Sequence, residues 1–173
     1  MKKRFMCVIL ALGLLVLMLC GCDGSQSVSD SDASGVIEKP VVWELAENDD
    51  EYMEMMRLKL NEYINCMTAV SSMERRLSVI ESAEKIAADE EFAAVTGQLY
   101  DWCEGALGYP AENLSSADAK TVCQQMCELA GATTVYLDNL PAMLDGTYTG
   151  ELSAADYQNS IVDNALAIYE LLN

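Results

Sequence analysis

From residue 46 onward, apolar positions recur at steps of three and four, the spacing that gathers them on one face of an α-helix. Met53, Met56, Leu60, Ile64, Met67 and Val70 form one such stripe, and Met73, Leu77, Ile80 and Ala87 carry it on. No Gly or Pro interrupts residues 41–96. A single helix over residues 48–87 would be about 60 Å long, roughly twice any other candidate in the chain, and would overhang its partners. Ser71 with Glu74 three residues later has capping-box spacing, which predicts a break near Ser71 and Ser72. The alternative is one bent rod spanning two shorter helices.

Asp89-Glu90-Glu91 predicts the next start, because a capping acid with two more carboxylates in the first turn suits the positive end of a helix. The inward stripe there is Phe92, Val95, Leu99, Trp102, Cys103 and Ala106, and Gly105, Gly108 and Pro110 stop it. Ser115 or Ser116 caps a further helix with Ala119, Val122, Cys123, Met126, Ala130 and Leu137 inward, ending before Pro141. After the connection Asp145–Gly150, Ser153 with Asp156 opens the last helix, whose stripe is Tyr157, Ile161, Ala165, Ile168 and Leu172. Nothing reads as a strand. Short connections between such helices predict an all-α fold: a compact, mostly antiparallel bundle of four or five helices over residues 46–173.

The front of the chain differs in kind. Lys2, Lys3 and Arg4 precede Phe5 to Leu19, 15 residues without a charge. That run is shorter than the ~20 residues a spanning helix needs, and it reads as an export signal. It ends in Leu19-Cys20-Gly21-Cys22, which resembles the lipobox of bacterial lipoproteins: an aliphatic residue, a small one, Gly or Ala, then Cys. Cys20 at the small position is an uncommon departure, and Cys20 itself is the poorer acceptor because Leu19 before it is bulky. The resemblance implies a signal peptide over residues 1–21, cleavage between Gly21 and Cys22, and a diacylglyceryl group on the Cys22 thiol. Asp23 follows; in a cell with two membranes, lipoproteins with Asp there resemble those kept at the inner one. Two acyl chains give stable attachment where one does not. The expected location is the extracytoplasmic face of the cell membrane, lipid-anchored.

Residues 22–45 then read as the lipidated Cys and a flexible tether. Asp23 to Gly35 is mostly Ser, Asp and Gly, with Val28 its one bulky apolar residue, too little to fold on. Val36 to Leu45 is more apolar, and Pro40 with Val41, Val42 and Trp43 predicts an extended strip lying against the body.

Charge and composition narrow the chemistry. The 173 residues hold 10 Lys and Arg against 28 Asp and Glu, a formal charge of −18, which becomes −21 once Lys2, Lys3 and Arg4 leave with the signal peptide. Such a balance repels phosphate backbones, so nucleic acid is not an expected partner. With no His, the commonest general base, the usual partner of Ser and Cys nucleophiles and every His-containing metal site are missing. Paired carboxylates carry no information among so many acids.

Four of the seven Cys remain in the body: Cys66, Cys103, Cys123 and Cys127. In an exported domain an even count suggests up to two disulfides. Cys123 and Cys127 share a helix face, where a direct bridge is strained, so bridges from Cys66 or Cys103 to Cys123 or Cys127 are favoured. The alternative is four small buried apolar residues. The close paired spacings of a four-thiolate zinc site are lacking, and no metal or cofactor is expected.

Asp145 to Asp156 has the outline of an EF-hand calcium loop, with Gly150 sixth and Leu152 eighth, but Thr147 and Thr149 stand where acids belong and the last residue is not Glu. An Asp-Gly turn before a capped helix accounts for it. Tyr100, Trp102 and Tyr109 suggest a stacking platform, yet Trp102 lies on the inward stripe and reads as core. The helically spaced Met residues read as core filler, with a groove for a partner helix as the functional version.

The expectation is therefore a lipid-anchored helical binding or interaction module of the bacterial cell envelope without enzymatic activity, docking an envelope protein or wall component. Capture of a small solute as an accessory to a transporter is the second reading, and an enzyme using carboxylates alone the third.

Overall fold

A computed structural model describes residues 43–173. The expected signal peptide, the expected lipidation site Cys22 and most of the expected tether lie outside the described residues. Five α-helices follow: α1 (Asp49–Leu77), α2 (Ala83–Ala87), α3 (Glu90–Gly108), α4 (Ala117–Asp145) and α5 (Ala154–Leu172), with a 3-10 turn at Ala111–Asn113 before α4. None of these helices is long and apolar enough to cross a membrane.

The starts are set by local chemistry. Asn48, Ser82, Asp89, Ser116 and Ser153 each accept a backbone N–H of the first turn through a side-chain oxygen. At Ser153 the exchange is reciprocal, Asp156 accepting the Ser153 N–H at 2.9 Å, so the predicted capping box is present. Gly146 closes α4 in the left-handed conformation at φ 81°, which a residue with a Cβ rarely adopts.

Two expected boundaries are corrected. α1 runs unbroken through Ser71 and Ser72 to Leu77 and stops five residues short of α2. The Glu74 side chain does not reach back to Ser71; it turns inward to Tyr136 and Gln158. α4 does not end before Pro141 but continues through it to Asp145. Pro141 lacks an N–H, so the Leu137 carbonyl forgoes its usual donor, a loss confined to the final two turns. The overhang argument fails for the same reason: α1 and α4 are both 29 residues long, about 43 Å, and match each other.

Residue pairs fix the directions. Tyr63 stacks on Trp102 and Arg76 forks onto Asp89, so α3 is antiparallel to α1. Cys127 meets Ala106 and Asp138 meets Tyr100, so α4 is antiparallel to α3. Gln158 meets Tyr136 and Glu74 while the Leu172 carbonyl accepts from Arg57, so α5 is antiparallel to both α4 and α1. The result is the all-α, up-down-up-down bundle that the periodicity predicts, with α2 a short turn packed on α3 and α4. α1 and α4 run parallel and are joined at both ends: Asp49 accepts the N–H groups of Ser115 and Ser116 at 3.0 and 2.6 Å, and Tyr136 reaches Glu74.

One core fills the interior. Met56, Leu60, Ile64, Met67, Val70 and Leu77 of α1 face Leu99 and Trp102 of α3, Met126, Ala130 and Leu137 of α4, and Ile161 and Ile168 of α5. Ala87 is exposed while its neighbour Ile86 is fully buried, a shift of one residue from the expected stripe.

Candidate functional site

Three groups of side chains carry chemistry in this bundle. The first is a polar cluster inside it. Glu74 of α1, Tyr136 of α4 and Gln158 of α5 are all buried. Glu74 Oε1 accepts from Tyr136 OH at 2.6 Å and from Gln158 Nε2 at 2.8 Å, and Gln158 Nε2 lies 2.9 Å from Tyr136 OH. Burial pushes the Glu74 carboxyl above its ordinary value, and the two donors partly restore it. Burial and the adjacent carboxylate hold Tyr136 protonated. Below this cluster Tyr63 OH and Thr133 Oγ1 pair at 2.7 Å. Polar groups left unpaired in a core are costly, so this network selects one register of α1, α4 and α5. The sequence signal was Glu74 on the inward face between Val70 and Leu77, which capping-box spacing obscured.

The second group is the thiols. Cys66, Cys103, Cys123 and Cys127 are all free in the structure, Cys103 and Cys123 buried and the other two partly so. Cys127 Sγ donates to the Ala106 carbonyl at 3.4 Å and Cys66 Sγ to Gln98 Oε1 at 3.6 Å. Burial is the main cause that raises the Cys66 and Cys103 thiols to about 11 and also raises Cys127. Protonated thiols are poor nucleophiles and poor metal ligands.

The third group is aromatic and lies at the end where the chain enters. Trp43 packs edge-on against Trp102 with ring centroids 5.7 Å apart, and lies 6.4 Å from Tyr109, which in turn stacks on Tyr52 at 4.9 Å. The Lys59 ammonium, buried with its side chain 2% exposed, lies 4.9 Å from the Trp43 ring centroid and 3.0 Å from Glu62. A Cβ at Gly105 would overlap the Trp43 ring. Gly inside a helix costs about 1 kcal/mol against Ala, and here its bare backbone makes room for the indole. Trp102, as expected, is core: its Nε1 donates to the Lys59 carbonyl at 2.8 Å. The sequence placed the strip against the body but gave no sign that Gly105 and Lys59 receive it.

The Asp145–Asp156 segment is a turn and a cap. Asp145 is the last residue of α4; it accepts from Thr147 N and Oγ1 at 2.9 and 2.6 Å and from Ala83 N at 2.7 Å, which lowers its carboxyl. Tyr100 OH donates to Asp138 at 2.7 Å beside an open groove of about 360 Å³, lined also by Phe92, Thr96, Leu137 and Pro141. No known protein family, curated protein or solved structure matches the chain.

Proposed function

We propose that this chain is a lipid-anchored helical interaction module on the extracytoplasmic face of a bacterial membrane, held there through Cys22 and docking an envelope protein or wall component. The observation that carries this reading is the order of its first residues: Lys2, Lys3 and Arg4, an uncharged run, then Leu19-Cys20-Gly21-Cys22. A charge of −21 after loss of the leader would push the body from anionic headgroups, so the acyl chains alone would hold it at the membrane.

Binding in preference to catalysis is supported by how the reactive groups are occupied. Glu74 serves Tyr136 and Gln158, burial holds the Cys66 and Cys103 thiols protonated, and Asp49, Asp89, Asp145 and Asp156 hold backbone N–H groups at helix ends. The groove beside Tyr100 and Asp138 supports the second reading, capture of a small solute, since its volume lies in the range of small-ligand sites.

Mass spectrometry of membrane-purified protein tests the anchor. The expected result is loss of residues 1–21 and a diacylglyceryl increment on Cys22. A Cys22→Ala chain that stays with the membrane overturns it. Thermal shift against wall fragments and against small sugars and peptides separates docking from solute capture.

A further inference from the structure

We propose that the notch between α1 and α3 is a receptor for an aromatic ring, and that Trp43 is a displaceable plug occupying it in cis. Four observations meet here. Gly105 leaves a gap in the α3 surface that the indole fills, and any Cβ there would collide with it. Trp102 and Tyr109 wall the gap with aromatic edges and faces. Lys59 brings an ammonium to 4.9 Å from the ring centroid, within reach of the face of any aromatic ring seated there. The Trp43 Nε1 is buried and finds no acceptor among the described residues.

That last point separates a plug from a core residue. Trp102, Tyr63 and Tyr136 are buried and each satisfies its polar atom. Trp43 is only partly buried and its Nε1 has no acceptor among the described residues, so the described walls of the notch fit the shape of the ring but not its donor. The ligand it suits best is a planar aromatic ring with no N–H at that edge, the chemistry of a phenyl side chain on a peptide. Trp43 holds the site because it is attached to it, at an effective concentration in the millimolar range that a free ligand must exceed. The inference stands apart from the lipid anchor, since every residue in it belongs to the body or its immediate lead-in.

The test is thermal shift on the full chain and its Trp43→Ala variant with three probes: toluene, indene and indole. The vacated notch is expected to raise the variant's melting temperature by about 3 °C with toluene or indene near ten times their dissociation constants. Indene, the same bicycle without the N–H, should bind about tenfold more tightly than indole. Wild-type protein should show no shift at those concentrations. In Gly105→Ala the added methyl should eject the plug, so a Glu-specific protease cuts after Glu44 at least several-fold faster than in wild type while the helical circular dichroism is unchanged. A folded Trp43→Ala chain that binds no probe overturns the proposal. So does equal binding of indene and indole, cleavage of Gly105→Ala at the wild-type rate, or loss of helix in Trp43→Ala, which would make Trp43 ordinary core.

Discussion

Glu74 lies at an inward position of α1 with Tyr136 and Gln158 donating to one carboxylate oxygen, and it forms no ion pair among the described residues. Its folded carboxyl value is above the ordinary 4.5 because of burial. Stability from the neutral form is therefore fully present below about 4.5 and is lost as pH rises through the higher folded value. Urea unfolding from pH 4.5 to 8 should show that decline, and Glu74→Gln, which keeps an acceptor for both donors, should flatten it. Glu74→Ala strands the Tyr136 hydroxyl and the Gln158 amide and should destabilise by about 2–3 kcal/mol near pH 4.5, the difference narrowing as pH rises and wild type loses the Glu74 contribution. Asp89 behaves oppositely: Arg76 lowers it to about 2, so its contribution disappears only as pH falls through that value, outside the Glu74 window. The thiols make a separate prediction. Denatured without reductant, the body should yield four reactive thiols; folded at pH 8, Cys66 and Cys103 should react many-fold more slowly, because burial holds both near 11. Two body thiols in the denatured count would restore a disulfide.

Helix starts were legible because capping is local. Asp89, Ser116 and Ser153 need only their own first turns, and spacing alone finds them. Ser153→Ala should cost about 1 kcal/mol by chemical denaturation. Helix stops and breaks were less legible, because partners elsewhere in the chain decide them. Ser71 and Glu74 have the spacing of a cap, but the carboxylate is claimed by α4 and α5, and the neighbouring stripe from Val70 to Leu77 is better buried when α1 continues. Pro141 reads as a terminator, yet Leu140 is fully buried and Asp145 bonds α2, so packing carries α4 past it. Pro141→Ala returns an N–H to the Leu137 carbonyl and should stabilise by about 1–2 kcal/mol, net of the unfolded-state freedom it restores. Unchanged or lowered stability would show that the ring's own packing outweighs the missing bond.

At the scale of the whole molecule, period alone gave the class: stripes of 3.6-residue spacing with short connections make an all-α bundle, and that is the architecture. What period did not reveal is which polar residues point inward. Lys59, Glu74, Thr133 and Gln158 all sit on apolar faces, and only the assembled neighbours, Glu62, Tyr136 and Tyr63 among them, give each a partner. The four long helices, alternating in direction, return the chain to its starting end. Trp43 and Asn48 at the front of α1, and Leu172 held by Arg57 at the close of α5, lie at one pole of the bundle, while Ser82, Gly146 and Ser153 lie at the other. A fluorescent protein fused after Asn173 would thus crowd Trp43 and the front of α1, whereas a short epitope inserted between Gly150 and Leu152 would stand out at the opposite pole, clear of both.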